Sequence, residues 1–127
     1  MDKERIMQIA TIEREARELE QSLEIIDSQI WELENFRITL KSIVDSKEDE
    51  VLAPIGSRVY LKSMIKDKKS LFVEVGAGVV IKKTPEETLN TVGEQIMNLK
   101  EARLNISSNL EELQDEMKKF IIEVEEN

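Results

Sequence analysis

From residue 9 to residue 33 the apolar side chains fall at Ile9, Ile12, Ala16, Leu19, Leu23, Ile26, Ile30 and Leu33, in strictly alternating steps of three and four. Such a repeat keeps one stripe of an α-helix apolar and the rest wettable, so it specifies a helix that needs a partner helix. Ile9, Ala16, Leu23 and Ile30 take the a positions of the heptad, and Ile12, Leu19, Ile26 and Leu33 the d positions. Carried forward, the register meets Arg37 at a, Leu40 at d and Val44 at a, which predicts a helix to about Ser46. The charged run 47–50 ends it. A second seam comprises Leu89, Val92, Ile96, Leu99, Arg103 at an a position, Ile106, Leu110, Leu113, Met117, Phe120 and Val124. It opens on Thr84-Pro85-Glu86-Glu87, where Thr84 reads as N-cap, Pro85 as first helical residue and Glu87 as the capping-box partner. Gly93 costs this helix about 1 kcal/mol relative to Ala. Each helix, of roughly 40 residues, would be about 60 Å long.

Between the seams, residues 51–83 hold the chain's densest β-branched runs and its turn formers. Short apolar runs bounded by Gly56, by the polar cluster 66–70, by Gly76 and by Gly78 predict four strands, 51–55, 59–65, 71–75 and 79–81. Consecutive strands pair as two hairpins, each with a glycine-containing turn in which Gly takes positive φ. Pro54 has no N–H to donate, so its strand should be an edge or carry a bulge. Two hairpins from some thirty residues cannot close a core. The faces of Val51, Ile55, Val59, Leu61, Phe72, Val73, Val79 and Ile81 are therefore expected to be buried against other chains.

Composition excludes more than it identifies. The 127 residues contain no Cys and no His, which removes disulfides, thiolate metal sites, cysteine nucleophiles and the commonest general base. A reducing cytoplasm fits that usage. No stretch reaches the length of a membrane span and the N-terminus has no apolar signal core, so a soluble, unprocessed protein is expected. Aromatic residues are only 4%, a poor supply for a conventional globular core. Residues 1–50 carry 7 basic and 14 acidic groups, residues 51–83 carry 7 and 2, and residues 84–127 carry 4 and 11. The acidic helices repel phosphate, which argues against nucleic acid. Lys62, Lys66, Lys68 and Lys69 read as solvated turn and edge lysines that discourage stray strand pairing. Gly76-Ala77-Gly78 begins a nucleotide-loop pattern but lacks the third glycine and the following helix. No carboxylate pair is set apart from the solvated helix faces. No enzymatic activity, cofactor or metal is expected.

The apolar residues off the seams carry the functional information. Trp31 and Ile38 share the b position, and Phe36 and Ile43 the g position, near the middle segment. They pack either against the chain's own strands or against neighbouring subunits. At the far end Ile6 and Met7 occupy e and f, as do Ile121 and Ile122. Antiparallel pairing gathers Ile6, Met7, Phe120, Ile121, Ile122 and Val124 at one free tip, where exposed apolar groups mark a binding surface. The plainer alternative is a frayed end with incidental hydrophobes.

Residues 51–57 (VLAPIGS) with 59–62 (VYLK), the later 73–80 (VEVGAGVV) and the two heptad helices together resemble the alpha class of archaeal prefoldin subunits, over essentially the whole chain. The specific part is the Pro-Ile-Gly turn followed by Val-Gly-Ala-Gly-Val-Val; heptads alone fit countless proteins. The resemblance implies a mainly α fold with a small β base, a long antiparallel two-helix coiled coil whose arms are joined by two β-hairpins that assemble into an intersubunit β-barrel. It implies one prefoldin-like domain over 1–127, with an N-terminal helix in 1–47, hairpins in 51–83 and a C-terminal helix in 84–127. Two hairpins point to the alpha class, since beta-class subunits have one. It further implies a hexamer of two alpha and four beta-type subunits, an ATP-independent holdase that captures unfolded client proteins at the tips and delivers them to a group II chaperonin. The competing classes are a coiled-coil scaffold that binds one defined partner and, least favoured, a nucleic-acid module using the basic middle.

Overall fold

The computed structural model describes residues 2–126. Its elements run α1 (Lys3–Asp45), β1 (Glu50–Gly56), β2 (Val59–Met64), β3 (Leu71–Gly76), β4 (Val79–Lys83) and α2 (Pro85–Glu126). The chain divides into two compact units, one made of the residues up to Glu32 with those from Gln95 onward, the other of Leu33–Glu94.

The first unit is a pair of antiparallel helices. The apolar seam residues of α1 from Ile9 to Ile30 and of α2 from Ile96 to Val124 are buried or half-buried, while their neighbours in sequence are mostly exposed. A shallow groove lined by Ile12, Ala16, Leu113 and Met117, and another by Met7, Ile12 and Phe120, set early residues of α1 against late residues of α2. The polar member of the α2 seam agrees with this pairing. Arg103 is exposed and reaches across to Asp27, with Nε donating to Oδ1 at 2.6 Å and the guanidinium also meeting Oδ2 at 3.5 Å. Both groups are well solvated, so the pair contributes at most about 1 kcal/mol. At an a position the guanidinium avoids burial by reaching out to this carboxylate at the edge of the seam.

In the second unit each hairpin is an antiparallel two-stranded sheet, β1 with β2 and β3 with β4. The register of the first steps from Pro54↔Tyr60 to Gly56↔Val59, leaving Ile55 outside the pairing, so Pro54 sits beside a bulge. The second repeats the pattern, from Glu74↔Val80 to Gly76↔Val79. Each turn contains glycine at positive φ, as expected, and non-glycine residues share that conformation. Ser57 and Arg58 occupy the centre of the first turn at φ 49° and 64°, whereas Gly56 lies on the bulge at φ 122°. In the second turn Ala77 and Gly78 take the same two places at φ 50° and 75°. Positive φ at both central residues matches the twist of a two-residue hairpin, and non-glycine residues adopt it at some strain.

The end of α1 shows a second departure from the sequence reading. Lys68 is not a solvated turn lysine: its side chain is only 16% exposed and its Nζ donates to the carbonyls of Ser46 at 2.7 Å and Glu48 at 2.6 Å, with Asp49 Oδ1 at 3.4 Å. Three acceptors match the three donors of an ammonium group. No basic residue lies in the last turn of α1, so Lys68 supplies from the inter-hairpin connection the cation that a helix C-terminus favours. The connection is also tied down by the Ile65 amide, which donates to the Asp49 carbonyl at 2.7 Å. At the start of α2 the Thr84 hydroxyl caps the helix, accepting from the Glu87 amide at 3.1 Å and lying 3.2 Å from Glu87 Oε1. Leu40, Thr88 and Val92 are the buried side chains of this unit.

Two stability outcomes follow from these local arrangements. A Cβ placed on Gly93 meets nothing within 4 Å, so Gly93→Ala should raise stability by about 0.5–1 kcal/mol through backbone entropy and shift the thermal midpoint up by a few degrees. An unchanged or lower midpoint would mean that this part of α2 is strained. Lys68→Met should cost about 1.5–3 kcal/mol, the range for hydrogen bonds to charged groups. It should also raise amide exchange at Ile65 selectively; equal protection in variant and parent would show that the ammonium does not hold the connection.

Candidate functional site

The described residues offer no catalytic constellation. No group of three His, Cys, Asp or Glu among them is arranged to hold a metal. Asp67 has its carboxyl held below the usual range by the Lys69 backbone N–H and then by the Ser70 hydroxyl, and Arg103 is raised by its hydrogen bond and charge contact with Asp27. Both effects come from local surface partners, as turn and coiled-coil charges show, and not from a desolvated pocket. Gly76-Ala77-Gly78 forms the turn between β3 and β4. No helix of the described residues is long and apolar enough to cross a membrane.

What the structure does present is exposed apolar surface, including the two places singled out from the sequence. In the first unit Ile6, Met7, Ile121 and Ile122 are 46–69% exposed, each standing off the seam. Phe120 and Val124 are half-buried at its end. Met7 and Phe120 line one groove of about 330 Å³ with Ile12 at its floor. The e and f positions of the heptad explain this separation, because those directions point away from the partner helix while a and d point into it. A groove of about 530 Å³ beside Ile12, Ala16, Leu113 and Met117 was not anticipated from the sequence. Its signal is Ala16, a methyl where the a positions Ile9, Leu23 and Ile30 carry larger side chains.

The second place is the pair of hairpins. Ile55, Val59, Leu61, Phe72, Val79 and Ile81 are exposed, with Val51 and Val73 half-buried. The observed register shows that these eight do not share one surface. In the second hairpin Val73 pairs with Ile81, with Val79 on the same side, whereas Phe72 pairs with Lys82 and faces the opposite way at 73% exposure. Val80 joins Phe72 on that second face. In the first hairpin Val51, Leu61 and Val59 share a side, and Leu52, Tyr60 and Met64 form the other. Leu52, Tyr60, Met64 and Val80 are thus apolar surface that the sequence reading passed over, although strict alternation along each strand marks them. Both faces of both hairpins are apolar, the pattern of strands covered on two sides.

Trp31 and Ile38 do not pack into the interior of either unit; each remains largely exposed, as does Phe36 to a lesser degree.

Comparison with known proteins places this architecture. The family profile described as "Prefoldin subunit" matches residues 12–127. The chain is 32% identical over 87 residues to prefoldin subunit alpha of Methanopyrus kandleri, an alignment covering 68% of this chain and 55% of that protein. It is 30% identical over 95 residues to prefoldin subunit alpha of Thermofilum pendens, covering 71% and 73%. The alignment thus spans little more than half the length of the Methanopyrus protein. Among solved structures, a filamentous PFD of Methanocaldococcus jannaschii determined by cryo-EM matches with a TM-score of 0.77 at 24% identity, over 92% of this chain and 98% of that one, which shows a common fold. Two heptad helices flanking two β-hairpins, the family match over nearly the whole sequence and curated relatives that are alpha subunits lead to one conclusion: the chain belongs to the prefoldin subunit family, a family of chaperones and not of enzymes.

Proposed function

We propose that the chain is an alpha-type subunit of an ATP-independent holdase, in which Ile6, Met7, Phe120, Ile121, Ile122 and Val124 capture unfolded proteins for delivery to a group II chaperonin. The observation that carries this proposal is the exposure of Ile6, Met7, Ile121 and Ile122 away from the seam that stabilises the helix pair. Burying a large aliphatic side chain contributes about 1.5–3 kcal/mol, so each tip supplies a weak, non-directional grip. Several tips on one assembly convert weak grips into useful retention through effective concentration, without any nucleotide-driven step. Exposed aliphatic groups make non-directional contacts, so they suit many unfolded sequences and discriminate little among them.

Assembly supplies the multiple tips. The two apolar faces of each hairpin are the surfaces through which the subunits join, with Val51, Ile55, Val59, Leu61, Phe72, Val73, Val79 and Ile81 in intersubunit strands of a β-barrel and beta-type subunits completing a hexamer of two alpha with four beta. The working compartment is the cytoplasm, where nascent and stress-unfolded chains are the clients.

The test replaces Ile6, Met7, Ile121 and Ile122 together with serine in the assembled complex. Native mass and helicity should stay unchanged, because the four residues lie off the seam, while suppression of client aggregation in light scattering falls; a photocrosslinker at position 121 should label several unrelated unfolded proteins in the parent. Labelling of a single native protein, with unfolded chains untouched, would replace the holdase with a scaffold that holds one partner.

A further inference from the structure

Away from the tip, the first unit carries four further large apolar side chains at the surface; Ile25 stands at a c position on the opposite side, and the other three share one side. Trp31, Met97 and Leu104 are 69–71% exposed, values above those of Ile6, Ile121 and Ile122. Trp31 takes the b position of α1, and Met97 and Leu104 the b positions of two successive heptads in α2. In an antiparallel pair the e positions of both helices meet on one side of the seam, and b lies next to e on that side. The three residues therefore stand on the two shoulders of a single broad face. Between those shoulders lies the Asp27–Arg103 ion pair, which ties the helices together at this level. Seam packing does not explain them, and a helix pair that needed only solubility would carry charged residues at b. Trp and Met are enriched at interface centres, where a large, adaptable apolar surface is useful.

The charges around this face indicate what it meets. On this side stand Glu20, Glu24 and Asp27 of α1 and Glu101 of α2, against Lys100 at an e position and the Arg103 that Asp27 already pairs, which leaves the face net acidic. Glu24 lies one heptad before Trp31 on the same stripe, and Glu101 lies between Met97 and Leu104 on the helix surface. Such an environment repels a second copy of the same acidic face and attracts a cationic chain. Resting on the holdase proposal and extending it, we infer that Trp31, Met97 and Leu104 form a second, lateral contact for the unfolded client, selective for segments that combine apolar and basic side chains. A client held at the tip then lies back along the helix pair, its apolar side chains on the shoulders and its Lys or Arg side chains near Glu24 and Glu101. The lateral contact adds retention to the tip and biases capture towards basic sequences.

Trp31 is the chain's one tryptophan, so its emission reports this face directly. The probe is a Trp-free, permanently unfolded polypeptide of net positive charge that also carries Leu and Phe, compared with a counterpart in which every Lys and Arg is Glu. Adding the basic polymer to the full chain should shift Trp31 emission to the blue and saturate. The acidic counterpart should give no shift, and added salt should weaken the response to the basic one. Met97→Ser with Leu104→Ser should weaken binding of the basic polymer about tenfold, with helicity and native mass unchanged. If clients are captured, as scattering shows, while Trp31 emission stays flat at saturation, the lateral contact is wrong and the tip proposal stands. If neither signal appears, the holdase proposal itself falls. A Trp31 shift that tracks protein concentration without polymer, or a change of native mass in the double variant, would assign the face to contacts between subunits and overturn the inference.

Discussion

The structure depends on a shortage of buried apolar surface. Ile12, Leu40, Val92 and Ile96 are the buried apolar side chains among the described residues, and none of the large ones is completely enclosed. A two-helix seam leaves each of its residues open on one side, and a two-stranded sheet has no interior. Hydrophobic burial is the main favourable term against chain entropy, so a chain with so little must draw stability from length and from other chains. Length is supplied by α1 and α2, which repeat one modest contact over many heptads. The rest is left for partners, since the hairpins offer apolar residues on both faces and cover neither.

That economy leaves the seam itself with little specificity. A seam of interchangeable Ile and Leu residues tolerates slippage by a heptad, because every register buries similar side chains. Arg103 at an a position bonds Asp27 in the observed register, although Glu20 and Glu34 occupy the same e position one heptad to either side. In the second unit the Lys68 ammonium draws the carbonyls of Ser46 and Glu48 to the connection between hairpins. A division of labour separates function from folding: seam positions hold the helices together, and off-seam positions such as Ile6, Met7, Ile121 and Ile122 remain available to a client in the proposed function.

Much of this is legible in the sequence because heptad spacing is a redundant signal. Eight apolar residues in unbroken three-four steps define α1, and no single substitution would hide it. The cap at Thr84 and the bulge beside Pro54 are local and equally readable. Lys68 was not, since its partners lie some twenty residues back in sequence and nothing in a run of lysines distinguishes the one that folds over a helix end. The turn between β1 and β2 is readable from Gly56, but the positive φ of Ser57 and Arg58 is not, because neither residue type announces it. The two-faced character of the hairpins needs the strand register, which puts Phe72 and Val73 on opposite sides. Family membership came from the Pro-Ile-Gly and Val-Gly-Ala-Gly-Val-Val segments, and intersubunit closure of the strands was inferred from that resemblance, not from the residues alone.

The measurement closest to the central claim is the mass of the purified chain by sedimentation velocity across a micromolar concentration series. A chain that cannot cover Phe72, Leu52, Tyr60 or Val80 should associate into dimers or larger species, and should resolve into a discrete hetero-oligomer when a beta-type subunit is added. A compact, stable monomer at every concentration, indifferent to the added subunit, would contradict the account.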